Sequence, residues 1–339
     1  MKAVVIISPN SISVEEVPEP VMGKYDALCD VAAAGVCSGT DNHILENDPY
    51  HKVQYPLVLG HEGIGKVTDT GSHVKNFNKG DLVTRVFNKL PNDSSYHLQW
   101  GAFSERAIVT DWQAMRDDGL PESTWKEFRV HRVLPKNFDP IASVMIITWR
   151  ETYSFFKQMN LTNKQNVLII GSGANALAFS DHCRNTGVTF YVLGSKDRKQ
   201  EFIKAGAKDY YAYQDSGVYE TIKSSGIKFD AIIDAIGKSN TVNKVINLLI
   251  NNGTIAIYGL DHYLDYNIDK TLAPKNFTKL LAEDYDESSV HDDIVNFIKE
   301  GKLNAWDYIS KEHIYPLEQA RDALIATKER KVLKSVITP

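Results

Sequence analysis

Only three cysteines, Cys29, Cys37 and Cys183, occur in 339 residues. That is too few for a disulfide framework or for a four-cysteine structural zinc site. It fits a reducing compartment, so the expected location is cytoplasmic. Long apolar runs are missing too. The longest, such as residues 167–171 and 231–236, suit buried strands and fall far short of a bilayer span. Met1-Lys2-Ala3-Val4-Val5-Ile6-Ile7 reaches Ser8-Pro9-Asn10 too soon for a signal peptide and carries no cleavage site. It reads as a first strand. An excess of one charge is also absent: the formal net charge is −5, with no tight Lys/Arg cluster. Neither a nucleic-acid partner nor a membrane surface is expected. What is present is an ordinary folding composition, 43% hydrophobic and 24% charged, on a chain long enough for two domains.

Two textures divide the chain. Residues 1–145 carry short alternating or apolar runs at 2–7, 27–34, 63–69, 82–87 and 103–109, separated by turn signals such as Asn78-Lys79-Gly80-Asp81. They predict a mostly-β domain with a barrel-like or partly open sheet. From about 146 the pattern becomes strand–helix alternation, with buried strands at 167–170, 190–193, 209–213, 230–234 and 254–258 and helices at 174–185 and 240–250. That alternation predicts an α/β, doubly wound parallel sheet covered on both faces. The tail from 276 to 339, with an amphipathic stretch at 292–299 and a last strand at 331–337, is read as returning to the first domain. The predicted organisation is thus 1–145 with 276–339, and 146–275. Cys29 lies in a strand-like stretch and Cys183 on a helix, and both read as core.

Gly171-Ser172-Gly173-Ala174-Asn175-Ala176 directly follows the apolar run Val167-Leu168-Ile169-Ile170 and opens a helix. In that setting the pattern is a dinucleotide-binding (Rossmann) turn. Gly171 permits the tight turn, Gly173 lets backbone approach a pyrophosphate, and Ala176 is small enough for close packing. The helix N-terminus supplies N–H groups and partial positive charge. Where NAD-binding folds place an acid on the ribose, this chain has Gly194, followed by Ser195-Lys196-Asp197-Arg198. A hydroxyl and two cations suit a 2′-phosphate, so NADP is favoured; NAD remains open if Asp197 takes the acid's role.

Three N-terminal pieces precede that loop: Gly35-Val36-Cys37-Ser38-Gly39-Thr40-Asp41-Asn42-His43, Gly60-His61-Glu62, and Asn78-Lys79-Gly80-Asp81-Leu82-Val83. With Asp230-Ala231-Ile232-Ile233-Asp234 and Tyr315-Pro316-Leu317-Glu318-Gln319-Ala320, their order resembles the zinc-containing medium-chain dehydrogenases that act on alcohols, sorbitol and glucose. The resemblance spans nearly the whole chain. It implies a GroES-like catalytic domain, a homodimer or homotetramer, and a small-molecule alcohol, polyol or sugar substrate. It also implies one catalytic zinc on Cys37 and His61, with Glu62 bound directly or through water. These are ordinary zinc ligands, and a catalytic site keeps one position open. Bound zinc polarises an alcohol oxygen, which makes hydride loss to a nicotinamide feasible. Thr40 resembles the family's proton-relay hydroxyl, and His43 a ribose-contacting or relay residue.

The chain departs from the family pattern in three places. Cys37 stands three residues before Thr40 where relatives have two. The helix position that carries a third ligand in relatives falls on Ile147, with Glu151 one turn on as its only substitute. The segment of the usual four-cysteine lobe, 87–100, has no cysteine, so no structural zinc is expected. Residues 112–132 form an added excursion, either framing the substrate or simply packed. Two rivals stay open: a zinc-independent enone or quinone reductase of the same fold, and a non-catalytic NADP-binding sensor.

Overall fold

The computed structural model describes residues 1–283 and 285–339. Two compact units emerge, one made of Met1–Thr148 with Asn304–Pro339, the other of Trp149–Leu303. The first is mostly β. A sheet of Ser11–Glu16, Lys2–Ser8, Leu57–Val58 and His97–Leu98 accompanies a larger one ordered Ile309–Pro316, Lys334–Thr338, Asp26–Gly35, Glu62–Thr70 and Leu82–Thr84. Arg106–Thr110 also pairs with Asp26–Gly35. Alternation along Asp26–Gly35 explains its place: Ala27, Cys29, Val31 and Ala33 are buried, while Asp30 is exposed.

The second unit is a six-stranded sheet ordered Asp209–Ala212, Thr189–Gly194, Asn166–Ile170, Phe229–Asp234, Leu249–Ile257 and Phe277–Leu281, parallel throughout. Its central strands are buried on both faces, which is why they read as unbroken apolar runs. Among the described residues, no helix is long and apolar enough to cross a membrane.

Two expectations need correction. The tail does not return to the first unit at 276. Phe277–Leu281 instead extends the parallel sheet beside Leu249–Ile257, with Gly253 opposite Phe277. The helix His291–Lys299 stays there as well, because buried Arg150 pairs with Glu287 and sits 3.2 Å from His291 Nδ1. The return comes at Asn304. Second, 240–250 is not one helix. A short helix at Ser239–Val242 and a 3-10 turn at Ile246–Leu248 give way to a strand at Leu249, which already pairs beside Phe229 of the neighbouring strand.

Candidate active site

Three distant stretches of sequence converge on Gly35. Glu62 is its neighbour across one side of the strand and Val336 across the other. A Cβ at 35 would collide with Glu62 Oε2, so any side chain there would have to push that carboxylate aside. The chain leaves this strand through Val36 to Cys37, then turns into the helix Thr40–Leu45.

Cys37, His61 and Glu62 come together there, each offering one ligand atom within 4.8 Å of the others. His61 and Glu62 are buried, and Cys37 is half-buried with a free thiol. Behind them lies Asp41, fully buried in the first turn of that helix. Its Oδ1 is 3.1 Å from His61 Nδ1, and its Oδ2 accepts the Cys37 backbone N–H at 2.8 Å. One carboxylate therefore fixes both the imidazole and the loop that presents the thiol. With Nδ1 engaged by Asp41, His61 has Nε2 left for a ligand bond, the arrangement typical of metal-binding histidines. Burial works against the imidazolium, but Asp41 and Cys37 together hold the His61 pKa well above its ordinary value. The extra residue between Cys37 and Thr40 is absorbed in the turn before the helix, and Cys37 remains in the group.

Glu62 has a second set of partners that the sequence pattern did not reveal. Lys334 Nζ lies 2.8 Å from its Oε1 and 2.6 Å from its Oε2, and Thr148 Oγ1 donates to Oε1 at 3.2 Å. Burial raises the Glu62 pKa, and the nearby charges of Lys334, His61 and Arg85 more than reverse this, keeping it ionised. A carboxylate has about four acceptor positions. Two hydrogen bonds fall on Oε1 and one on Oε2, so Oε2 retains a position for a metal or a water. The donor set thus fits a zinc ion, with Cys37 and His61 as ligands and Glu62 as a shared one.

Ile147 is fully buried and Thr148, the next residue along the helix, is the one that reaches Glu62. Glu151 is not in the metal-capable group and falls in the second unit, which begins at Trp149. Thr40 and His43 lie half-buried on the helix that carries Asp41. In the cysteine-free segment, buried Asn88 Nδ2 donates to Gly101 O at 2.7 Å and Ser104 Oγ at 2.9 Å. The 112–132 excursion is a packed one. Trp112 stacks on Trp125, whose Nε1 donates to Leu120 O, while His131 Nδ1 accepts the Thr110 N–H and its ring stacks on Phe87.

In the second unit, Gly171 has φ +126° at the turn after Asn166–Ile170, and the helix Ala174–Thr186 starts beyond Gly173. A Cβ on Gly173 would meet nothing within 4 Å, so its surface is open to a bound group. At the next strand's end, Gly194 has a packing cause: a Cβ there would overlap Tyr210 Oη and lie 2.9 Å from Ser172 Cβ. Tyr210 spends its hydroxyl on Ser195 O at 2.5 Å, and Ser195 N donates to Ser172 Oγ at 3.0 Å. Lys196 is exposed, whereas Arg198 is paired with Glu201 at 3.1 Å. Cys29 and Cys183 are buried in their cores.

Residues 23–121 match the family model described as the alcohol dehydrogenase GroES-like domain. D-arabinitol dehydrogenase 1 of Uromyces fabae is 24% identical over all of this chain and 97% of its own length. A sorbitol dehydrogenase of Halalkalibacterium halodurans is 22% identical over 96% of this chain and 95% of its own. Among solved structures, a putative zinc-binding dehydrogenase of Sinorhizobium meliloti 1021 bound to NADP superposes with a TM-score of 0.78. It is 20% identical and covers 100% of this chain and 99% of its own.

Proposed function

We propose that this chain, which belongs to the zinc-type medium-chain dehydrogenase family of alcohol and sorbitol dehydrogenases, is an NADP-preferring dehydrogenase of a small alcohol, polyol or sugar. The family is NAD(P)-dependent. The observation that carries the reading is the cluster of Cys37, His61 and Glu62 with Asp41 behind the imidazole. Cys37 and His61 would hold one zinc ion, and Glu62 would bind it through the remaining position on Oε2 or through water. Such an ion supplies Lewis acidity to an alcohol oxygen, and a nicotinamide supplies the hydride acceptor.

This chain's own residues do the rest. Asp41 orients His61 and keeps its negative charge next to the site, Lys334 offsets the charge of Glu62, and the Thr40 hydroxyl is the group proposed to pass the alcohol's proton. The open surface of Gly173 and the N-terminus of Ala174–Thr186 receive the pyrophosphate, with Ser172, Asn175 and Ala176 completing the turn. Ser195 and Lys196 suit the 2′-phosphate, and Arg198 joins them by exchanging Glu201 for it.

The test is metal analysis of the purified chain together with an alcohol, polyol and sugar panel run with NADP and with NAD. The expected result is no more than one zinc per chain, turnover with NADP exceeding that with NAD, and loss of turnover on chelation. Full turnover after exhaustive chelation, with enones or quinones as the substrates, replaces this reading by the zinc-independent reductase. Cofactor binding with no turnover of any alcohol or carbonyl replaces it by the non-catalytic sensor.

A further inference from the structure

Beside His61 stands a tryptophan in a backbone conformation that its residue type disfavours. Trp100 has φ +59°, in the left-handed region where a Cβ crowds the backbone. Its carbonyl accepts the Asn88 N–H at 2.6 Å, which locks the turn, and its ring centroid lies 5.1 Å from that of His61 at 47°. Arg85, also left-handed at φ +64°, sets its guanidinium carbon 5.9 Å from the indole centroid and donates to His61 O at 3.0 Å. Despite these contacts Trp100 is 38% exposed.

These observations conflict with a purely structural role. The turn calls for glycine, which adopts positive φ without strain, and the neighbouring position does hold one, Gly101 with φ +84°. A core tryptophan would bury its ring, as Trp149 does. A tryptophan held in a strained backbone, partly exposed and next to a metal-capable histidine, is instead suited to touch a ligand. Its chemistry is amphipathic: a flat apolar surface for C–H groups and one N–H donor for a hydroxyl.

We infer that Trp100 is a specificity-determining residue that packs against the carbon chain of a polyhydroxylated alcohol whose reacting hydroxyl sits at Cys37 and His61. The inference rests on the dehydrogenase reading and deepens it to a substrate class. An ethanol-sized alcohol is too short to gain from the indole, whereas a pentitol places C–H groups on it and a hydroxyl at its N–H.

Trp100→Gly and Trp100→Phe, compared with the parent chain on ethanol and a pentitol, test it. Trp100→Gly should melt at or above the parent temperature, because the left-handed residue no longer carries a Cβ. Its kcat/KM for the pentitol should fall roughly tenfold or more relative to its kcat/KM for ethanol. Trp100→Phe should restore most of the pentitol value. A Trp100→Gly chain that melts far below the parent and loses both alcohols equally overturns the inference, because the ring would then be structural. Unchanged kinetics for both alcohols overturn it too. If the zinc-loaded parent oxidises neither alcohol, the dehydrogenase reading fails, and tryptophan emission decides Trp100 separately. A pentitol-dependent change present in the parent and absent in Trp100→Phe supports the contact, and no change rejects it.

Discussion

Lys334, on the last strand of the chain, brackets the carboxylate of Glu62 with its ammonium at 2.8 and 2.6 Å, and both side chains are almost wholly buried. The pair joins residues 272 positions apart. Burial lowers the lysine's pKa, but Glu62, with Cys37 and Asp41 behind it, raises it above its ordinary value, so both partners are charged. Removing one partner strands the other. Lys334→Met should therefore destabilise the chain by roughly 3–5 kcal/mol, whereas Glu62→Gln with Lys334→Met should recover most of that loss. Urea unfolding of the two variants and the parent measures it. Equal losses in the single and double variants would show that the lysine stem, not its charge, matters.

The same pair bears on the metal. Lys334 occupies acceptor positions on both Glu62 oxygens, and its positive charge opposes a cation at Cys37 and His61. Asp41 works the other way, by orienting His61 and strengthening it as a ligand. Asp41→Asn should weaken zinc binding about 10- to 100-fold, the usual effect of losing a carboxylate behind a metal-bound histidine. Competition with a chromophoric chelator reads this without any turnover. An unchanged zinc affinity removes Asp41 from the site's account.

At the cofactor end, the absent acid has a steric cause as well as a consequence for charge. Gly194→Asp should not convert the chain to NAD, because the new side chain collides with Tyr210 Oη and meets Ser172 Cβ at 2.9 Å before it can reach a ribose. The expected outcome is lost stability and weaker binding of both cofactors. Adding Tyr210→Phe, which removes the colliding Oη while keeping the buried ring, should recover part of that stability and only then allow a preference for NAD. Fluorescence titration with each cofactor, alongside melting curves, tracks both effects. A well-folded, NAD-selective Gly194→Asp single variant would contradict this packing.

How far the site was readable depends on where its parts lie in the chain. Cys37, His61-Glu62 and the Gly171–Ala176 turn are local patterns whose spacing carries their chemistry, and the structure brings the first three together. Thr148 and Lys334 are not local to anything they serve. One signal did exist: Lys334 interrupts the apolar stretch Val332-Leu333-Lys334-Ser335-Val336-Ile337, and a lysine in a buried strand requires a buried counter-charge. The sequence could not say which acid that was. The sheet order failed at the tail for a related reason. Ile309–Pro316 is mostly exposed or half-buried and carries no clean alternation, so the strand that begins the return went unseen. Phe277–Leu281, half-covered at the sheet's edge, showed no sign of which domain it joined.

His182 allows a prediction about acid that is independent of the active site. It lies in the second unit's core, fully buried against Tyr153, Phe156 and Phe179, with Nε2 2.8 Å from Thr152 Oγ1. Burial, reinforced by the charge of Arg184, pushes its pKa down to about 3. In the unfolded chain the same imidazole titrates near its ordinary value, at about 6.5. Between those two values the unfolded state binds a proton that the folded state refuses, so stability falls as pH falls. The penalty grows by about 1.4 kcal/mol for each pH unit below 6.5 and levels off near the folded value. His182→Gln keeps a polar group facing Thr152 but cannot titrate. Its stability at pH 7.5 should lie below the parent's, and the gap should narrow steadily on going to pH 6 and then pH 5, because only the parent carries this term. Urea unfolding at the three pH values gives the comparison directly. Parallel pH profiles for the two chains would mean that the folded protein accepts a proton at His182, and that its core admits a charge or opens to water.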